Sequence, residues 1–263
     1  MQLEQQIQAV AGLLDEAERV LFITGAGISA DSGLPTYRGI GGLYADQETV
    51  HGVPIEEALS SDVFQSHPEI TWHYLWQLGH AAQRAEPNFA HWAIAGVVAQ
   101  KPGSWVMTQN VDGLHGAVHT ANLVELHGNA QALYCTQCSW QTTAEAFLDN
   151  YGEQPELPPR CNRCGGIIRP DVTLFGENLP APAMAFLQNY DDYQFDLVIS
   201  VGTTAAFPYI AAPVALAYQN EVPSVEINPS MTVISDTVTY AIRLGAAEAF
   251  KQICALSSLC DTA

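Results

Sequence analysis

Four cysteines stand in two pairs, Cys135-x-x-Cys138 and Cys161-x-x-Cys164, with 22 residues between the pairs. Two tight knuckles of this kind each offer two thiolates to one tetrahedral ion, and with all four positions filled by cysteine none is left open for chemistry. The pattern predicts a structural zinc. Disulfides fit less well, because the acidic, amphipathic start "MQLEQQIQAVAGLLDEAERV" reads as neither a signal nor a transit peptide, so an unexported, cytoplasmic protein is expected. Cys254 and Cys260 read as thiols without a role in the chemistry.

A second group of residues could handle a nucleotide. In "LFITGAGISADSGLPTYRG" Gly25, Gly27 and Ala30 fit G-x-G-x-x-A directly after an apolar run, where glycines let the backbone approach a pyrophosphate. An ordinary dinucleotide site adds an acid about 20 residues later at a strand end. Here that position falls at Asp46 in "GLYADQETV", with no strand before it, so the site is a modified one. "SVGTT" offers Gly202, Thr203 and Thr204 for phosphate or ribose, and "VEIN" places Asn228 after another apolar run. "TQNVDGLH" contributes Gln109, Asn110 and Asp112, and "LHGN" contributes His127. Of eight histidines, His127 stands out as a base by its place between the polar loop and the cysteine module. His115 and His119 are its local rivals, whereas His51, His67, His73, His80 and His91 read as structural.

These residues need elements to position them. Leu3, Ile7, Val10 and Leu14 recur at helical spacing and predict an amphipathic helix over the first 18 residues. "RVLFITGAG" predicts a buried strand, "HWAIAGVVAQ" a helix, "GSWVMTQNVDGLH" a strand leaving through a polar loop, and "NLVELHG" a further short strand. "FDLVISVGTTAAFPYIAAPVALAYQNEVPSVEINPS" repeats strand, glycine turn, helix and strand. That alternation is the grammar of a parallel, doubly wound sheet, with polar loops gathered at the strand ends. The stretch "PIEEALSSDVFQSHPEITWHYLWQLGHAAQRA" predicts a helical insert broken near Pro68, and residues 129 to 169 a small metal-stapled module without a helix-packed core.

Nine basic against 28 acidic residues give a formal charge of −19, which opposes binding to nucleic acid or anionic lipid and favours basic protein segments. The cysteine module has only Arg160, Arg163 and Arg169 as cations, too few for a nucleic-acid ribbon. No apolar run reaches the 18 or so residues of a membrane helix.

Taken in order, "GAGISADSGLPTYRG", "TQNVDGLH", "LHGN", the two cysteine pairs, "RPDVTLFGE", "VGTT" and "EIN" resemble the sirtuins, NAD-dependent protein lysine deacylases, over nearly the whole chain. The resemblance implies an α/β fold: a discontinuous Rossmann-type domain (1–34, 85–128 and 170–263), a lid loop with a helical insert (35–84) and the zinc module (129–169). It implies that Gly25, Ala26, Gly27, Ile28, Gln109, Asn110 and Asp112 line the nicotinamide and ribose pocket under a lid carrying Pro35, Tyr37 and Arg38. Gly202, Thr203 and Asn228 would hold phosphate and adenosine ribose, with Gly245 and Ala246 near the adenine. His127 would be the general base, with Asn110 beside it in the catalytic set. Val172, Leu174, Phe175 and Gly176 would meet the acyl-lysine peptide. NAD is then a co-substrate, zinc a structural ion, and the products are nicotinamide, free lysine and O-acyl-ADP-ribose.

Tyr37 replaces the family's usual Phe, Thr203 its usual Ser, and Thr173 and Leu174 its usual Val and aromatic. A subclass that removes succinyl and malonyl groups uses a Tyr and an Arg three residues later; here Leu75 and Leu78 occupy those positions, so neutral acyl groups are expected. ADP-ribosyl transfer or NAD hydrolysis on the same scaffold is the competing activity. A noncatalytic NAD-sensing module ranks last, since Gln109, Asn110, Asp112 and His127 would have no reason to occur together.

Overall fold

The computed structural model describes residues 2–35, 52–152 and 155–260. Tyr37, Arg38, Asp46 and His51 lie outside the described residues.

Nine strands and ten α-helices follow one another in the described chain. The helices are α1 (Leu3–Glu16), α2 (Ile55–Ala58), α3 (Ser61–Ser66), α4 (Pro68–Arg84), α5 (Phe89–Gln100), α6 (Leu114–Ala117), α7 (Ala144–Tyr151), α8 (Ala181–Gln188), α9 (Pro208–Gln219) and α10 (Ala246–Cys254). The strands are β1 (Val20–Thr24), β2 (Trp105–Thr108), β3 (Leu123–Glu125), β4 (Gly128–Cys135), β5 (Gln141–Thr143), β6 (Ile168–Val172), β7 (Leu197–Val201), β8 (Ser224–Ile227) and β9 (Tyr240–Ile242). Six of them form one sheet in the order β3-β2-β1-β7-β8-β9, and every pairing in it is parallel.

A parallel sheet buried on both faces wants continuous apolar strands, and β1 shows how the faces divide. Val20 and Phe22 point to one core with α1, α5 and α10, where Val10, Leu14, Ile94, Val97 and Phe250 are buried. Leu21 and Ile23 point to the other, with Phe186 of α8 and Ile210 and Val214 of α9. Burying each such side chain contributes about 1.5–3 kcal/mol, and two helical layers over the six short strands hold the frame in this way. The predicted stripe on α1 holds at Ile7, Val10 and Leu14, but Leu3 in the first turn is exposed.

Strand β4 pairs antiparallel with β5 and β6 in a second, three-stranded sheet. Its core draws on both inserts: Ile55, Leu59, Trp72 and Leu75 from α2 to α4 pack with Leu133, Phe147 and Ile168. Trp72 Nε1–H also donates to the Ile168 carbonyl at 2.9 Å. The helical break falls where expected, with α3 ending at Ser66 and Pro68 opening α4, where a missing N–H is harmless. One expectation is corrected here. The cysteine module does contain a helix, α7, capped by Thr143, and its Phe147 is fully buried in that core. Among the described residues no helix is long and apolar enough to cross a membrane.

Candidate active site

Strands β1 and β7 are neighbours from which the chain winds outward in opposite directions, and such a switch point opens a crevice at the carboxyl ends of the strands. After β1 the chain makes two 3-10 turns, Ala26–Ile28 and Ala30–Ser32, rather than one long helix. Gly27 N–H donates to the Gly202 carbonyl at 2.8 Å. A Cβ on Gly27 would stand 2.6 Å from Gly202 Cα, so the two glycines let the loops after β1 and β7 touch backbone to backbone.

The loop after β2 is wired into the turn after β1. Gln109 Nε2 donates to Thr203 Oγ1 at 2.7 Å, drawing β2 and β7 together over β1. Asn110 Nδ2 donates to the Gly25 carbonyl at 3.1 Å and to Ser29 Oγ at 3.2 Å. Ser29 in turn donates to Asp112 Oδ2 at 2.7 Å, and Leu114 N–H donates to Oδ1 at 2.9 Å. Burial pushes the Asp112 carboxyl above the usual carboxylate range, against the pull of those two donors. Beneath this loop His115 and His91 are both buried, with ring centroids 4.9 Å apart.

His127 follows β3 and is half-buried. Its Nδ1 lies 2.9 Å from the Gln109 carbonyl, which can only accept, so Nδ1 carries the proton and Nε2 the lone pair. Burial lowers the imidazole below its ordinary value, against that bond, and so favours the neutral ring a base needs. Gly128 follows at φ +79°, and a Cβ there would come within 2.0 Å of the Asp171 carbonyl, so only glycine turns the chain here.

Asn228 Nδ2 donates to the Thr203 carbonyl at 3.1 Å, which places the ends of β7 and β8 side by side. Gly245 precedes α10; Ala246 is buried, and the N–H of Ala247 donates to Asp31 Oδ2 at 3.1 Å, next to the glycine turn. The described residues named from the sequence for the nucleotide thus gather at the carboxyl ends of the strands of the large sheet. A dinucleotide fits that donor set: backbone turns without side chains, amide and hydroxyl groups, and a carboxyl held among donors.

The 172–176 segment lies between the two sheets. Val172 and Leu174 turn their side chains into the small core. Thr173 N–H donates to the His127 carbonyl at 2.8 Å, Leu174 N–H to Glu177 Oε2 at 2.8 Å, and Phe175 N–H to the Leu59 carbonyl at 3.0 Å. Gly176 follows in the left-handed region at φ +89°.

The four cysteine sulfurs lie within 4.8 Å of one another, with Cys135 and Cys164 at 3.4 Å and Cys138 and Cys161 at 3.8 Å. Zinc–sulfur bonds of about 2.3 Å in a tetrahedron place sulfurs about 3.8 Å apart, so the cluster is the right size for zinc. Gln137 N–H donates to Cys135 Sγ and Gly166 N–H to Cys164 Sγ, each at 3.4 Å, as thiolate ligands require.

Several residues differ from expectation or escaped it. Arg169 is no surface cation: it is buried, pairs with Glu177 at 2.7 and 3.0 Å, and lies 4.9 Å from the Phe64 ring. Cys254 is disulfide-bonded rather than a thiol. His115 bonds Thr24 inside the frame, and His119 lies at φ +54° in the turn that follows α6. Ser29, the link between Asn110 and Asp112, and Tyr209, whose hydroxyl lies 2.8 Å from His127 Nε2, were not foreseen. Ser29 was available as a polar residue inside the glycine turn, whereas nothing in the sequence signals Tyr209.

The Sir2 family model matches residues 25–207, and the chain belongs to that family. It is 48% identical over 224 residues to NAD-dependent protein deacylase 2 of Pseudomonas syringae pv. tomato, a match covering 84% of this chain and 88% of that protein. It is 46% identical over 235 residues to NAD-dependent protein deacylase 2 of Pseudomonas aeruginosa, covering 88% and 90%. Among solved structures, a Sir2 protein with deacetylated p53 peptide and 3'-O-acetyl ADP ribose superposes with TM-score 0.82 at 27% identity, over 95% of this chain and 97% of that one. A complex of a Sir2 homolog with NAD superposes with TM-score 0.79 at 28% identity, over 94% and 93%.

Proposed function

We infer that the protein is an NAD-dependent protein lysine deacylase. The observation that carries this is the meeting of Gln109, Asn110, Asp112 and Thr203 at the switch point with a neutral His127 whose lone pair is on Nε2. NAD supplies the ribose carbon from which nicotinamide departs and which the acyl oxygen then takes. Gly25, Ala26, Gly27 and Ile28 let it approach the backbone, Asn110 and Asp112 orient its nicotinamide end, and Gly202, Thr203, Asn228 and Ala246 hold the rest. His127 accepts a proton at Nε2 from the ribose hydroxyl network, which makes an oxygen nucleophile for the acyl carbon.

The acyl-lysine peptide lies beside the 172–176 segment, against the residues named there, Val172, Leu174, Phe175 and Gly176. Arg169, tied to Glu177 and to the Val172 carbonyl at 2.5 Å, stiffens that strand. The three-part division of the chain belongs to the same reading, with the zinc module and the helical insert sharing one core beside the strand. The zinc itself takes no chemical part. Leu75 and Leu78 offer no guanidinium to an acyl carboxylate, so the acyl groups are acetyl or longer neutral chains, and the excess of acid favours basic sequences around the lysine.

Matched acetyl-, butyryl- and succinyl-lysine peptides with NAD test this. Loss of the neutral acyl groups, with one nicotinamide released per lysine freed, is the expected result. NAD cleaved while every peptide stays acylated shifts the assignment to transfer or hydrolysis, and succinyl removed as fast as acetyl refutes the acyl preference.

A further inference from the structure

Both ring nitrogens of His127 are hydrogen-bonded. Nδ1–H donates to the Gln109 carbonyl, so the group 2.8 Å from Nε2, the Tyr209 hydroxyl, must donate to the lone pair. Tyr209 is able to do so as a neutral phenol, which its ordinary value already keeps protonated at neutral pH. It is the second residue of α9, and its ring stacks on Phe207 at 5.5 Å and 15°. Both rings stand nearly edge-on to the imidazole at 6.1 Å, with interplanar angles of 87° for Tyr209 and 76° for Phe207. The loop that carries them begins at Gly202, against the glycine turn.

We propose that Tyr209 is a positioning residue that caps the base: its hydroxyl holds the Nε2 lone pair of His127 before ligands bind and must give that position up before the nitrogen can take a proton. The inference rests on the reading of His127 as general base. The remaining titratable groups stand on neighbouring elements. Asp112 is held by Ser29 and Leu114, Glu125 accepts from Asn129 at 2.7 Å, Arg169 pairs with Glu177, and Asp171 stands on β6 opposite Asn129. Tyr209 is the one of them bonded to the ring, so removing its hydroxyl acts on His127 through a single contact.

One bond then has two linked effects. It favours the neutral ring in the free enzyme, which lowers the pKa that limits kcat/KM on the acid side, and it opposes any substrate hydroxyl that needs Nε2. Tyr209→Phe keeps the ring and its stacking and removes both effects together. The alkaline plateau of kcat/KM should rise about 2- to 10-fold, the range expected of a neutral hydrogen bond. The acid limb should move up by the logarithm of the same factor, about 0.3 to 1 pH unit, so that the two profiles converge at low pH.

The test is a pair of measurements on wild type and Tyr209→Phe: the pH profile of kcat/KM on an acetyl-lysine peptide, and an NMR titration of His127 in the ligand-free protein. A higher plateau with an equally higher His127 midpoint is the expected result. A lower plateau would show that the hydroxyl stays bonded through the reaction, and an unmoved midpoint would show that it does not hold the lone pair; either overturns the cap. The titration needs no turnover, so a wild type that deacylates nothing refutes the deacylase reading while the cap is still decided.

Discussion

The Ser29 hydroxyl donates to Asp112 Oδ2 over 2.7 Å and so joins the turn after β1 to the loop after β2. It helps hold ionised a carboxyl whose pKa burial raises. The sign for stability follows: a carboxyl with a raised folded pKa contributes stability below its unfolded value and loses it as pH rises through the folded one. Asp112→Asn should therefore melt at or above the wild-type temperature at pH 7, while NAD-dependent turnover falls about 10- to 100-fold, the range for a hydrogen bond to a charged group. Ser29→Ala should lose activity in the same direction without that gain in stability. Paired thermal melts and initial rates check both.

Glu177→Gln should act on the peptide alone. Glu177 holds the buried Arg169 by two bonds and caps the N–H of Leu174, so the change leaves a buried guanidinium without its anion and loosens the 172–176 backbone. KM for an acyl peptide should rise about 10-fold while KM for NAD stays within about twofold, a split read directly from steady-state kinetics.

His91 and His115 make the fold acid-sensitive. Burial lowers His91 to about 4; burial, and secondly the neighbouring His91, lowers His115 to about 3. A depressed folded pKa means the stabilisation is complete above the unfolded value near 6.5 and is lost as pH falls toward those values. Urea unfolding between pH 7 and pH 4.5 should show stability falling by up to about 1.4 kcal/mol per pH unit for each ring. Replacing either ring by Gln should flatten the slope.

Removing zinc should disorder the β4–β6 sheet before the large one. The thiolate cluster ties the two cysteine knuckles to each other, and structural zinc binding is coupled to folding. Chelation, or Cys164→Ser, should expose the amides of β4 to hydrogen exchange and abolish deacylation. Full activity in protein shown by mass spectrometry to be zinc-free contradicts that role.

Elements whose residues report on their own surroundings were legible in the sequence. The apolar runs of β1, β2, β7 and β8 announce strands buried on both faces, and the spacing of Cys135, Cys138, Cys161 and Cys164 announces its own geometry. What escaped depended on distance in space. Arg169 looks like a surface cation until Glu177, eight residues on, is folded back against it. Helix α7 has too short an apolar stripe to stand out, and Phe147 is explained only by a core that borrows Trp72 and Leu75 from another part of the chain. Tyr209 reaches His127 because the loop from Gly202 to Pro208 has the length it has, and no residue type encodes that reach.

The central claim is that His127 is the base of an NAD-dependent deacylation. The most direct test is mass spectrometry of wild type and His127→Ala, each incubated with NAD and an acetyl-lysine peptide. The account predicts free lysine, nicotinamide and O-acetyl-ADP-ribose in equal amounts from the wild type, and no deacetylated peptide from the variant. Undiminished deacetylation by His127→Ala, or a wild type that consumes NAD and leaves the peptide acetylated, would contradict it.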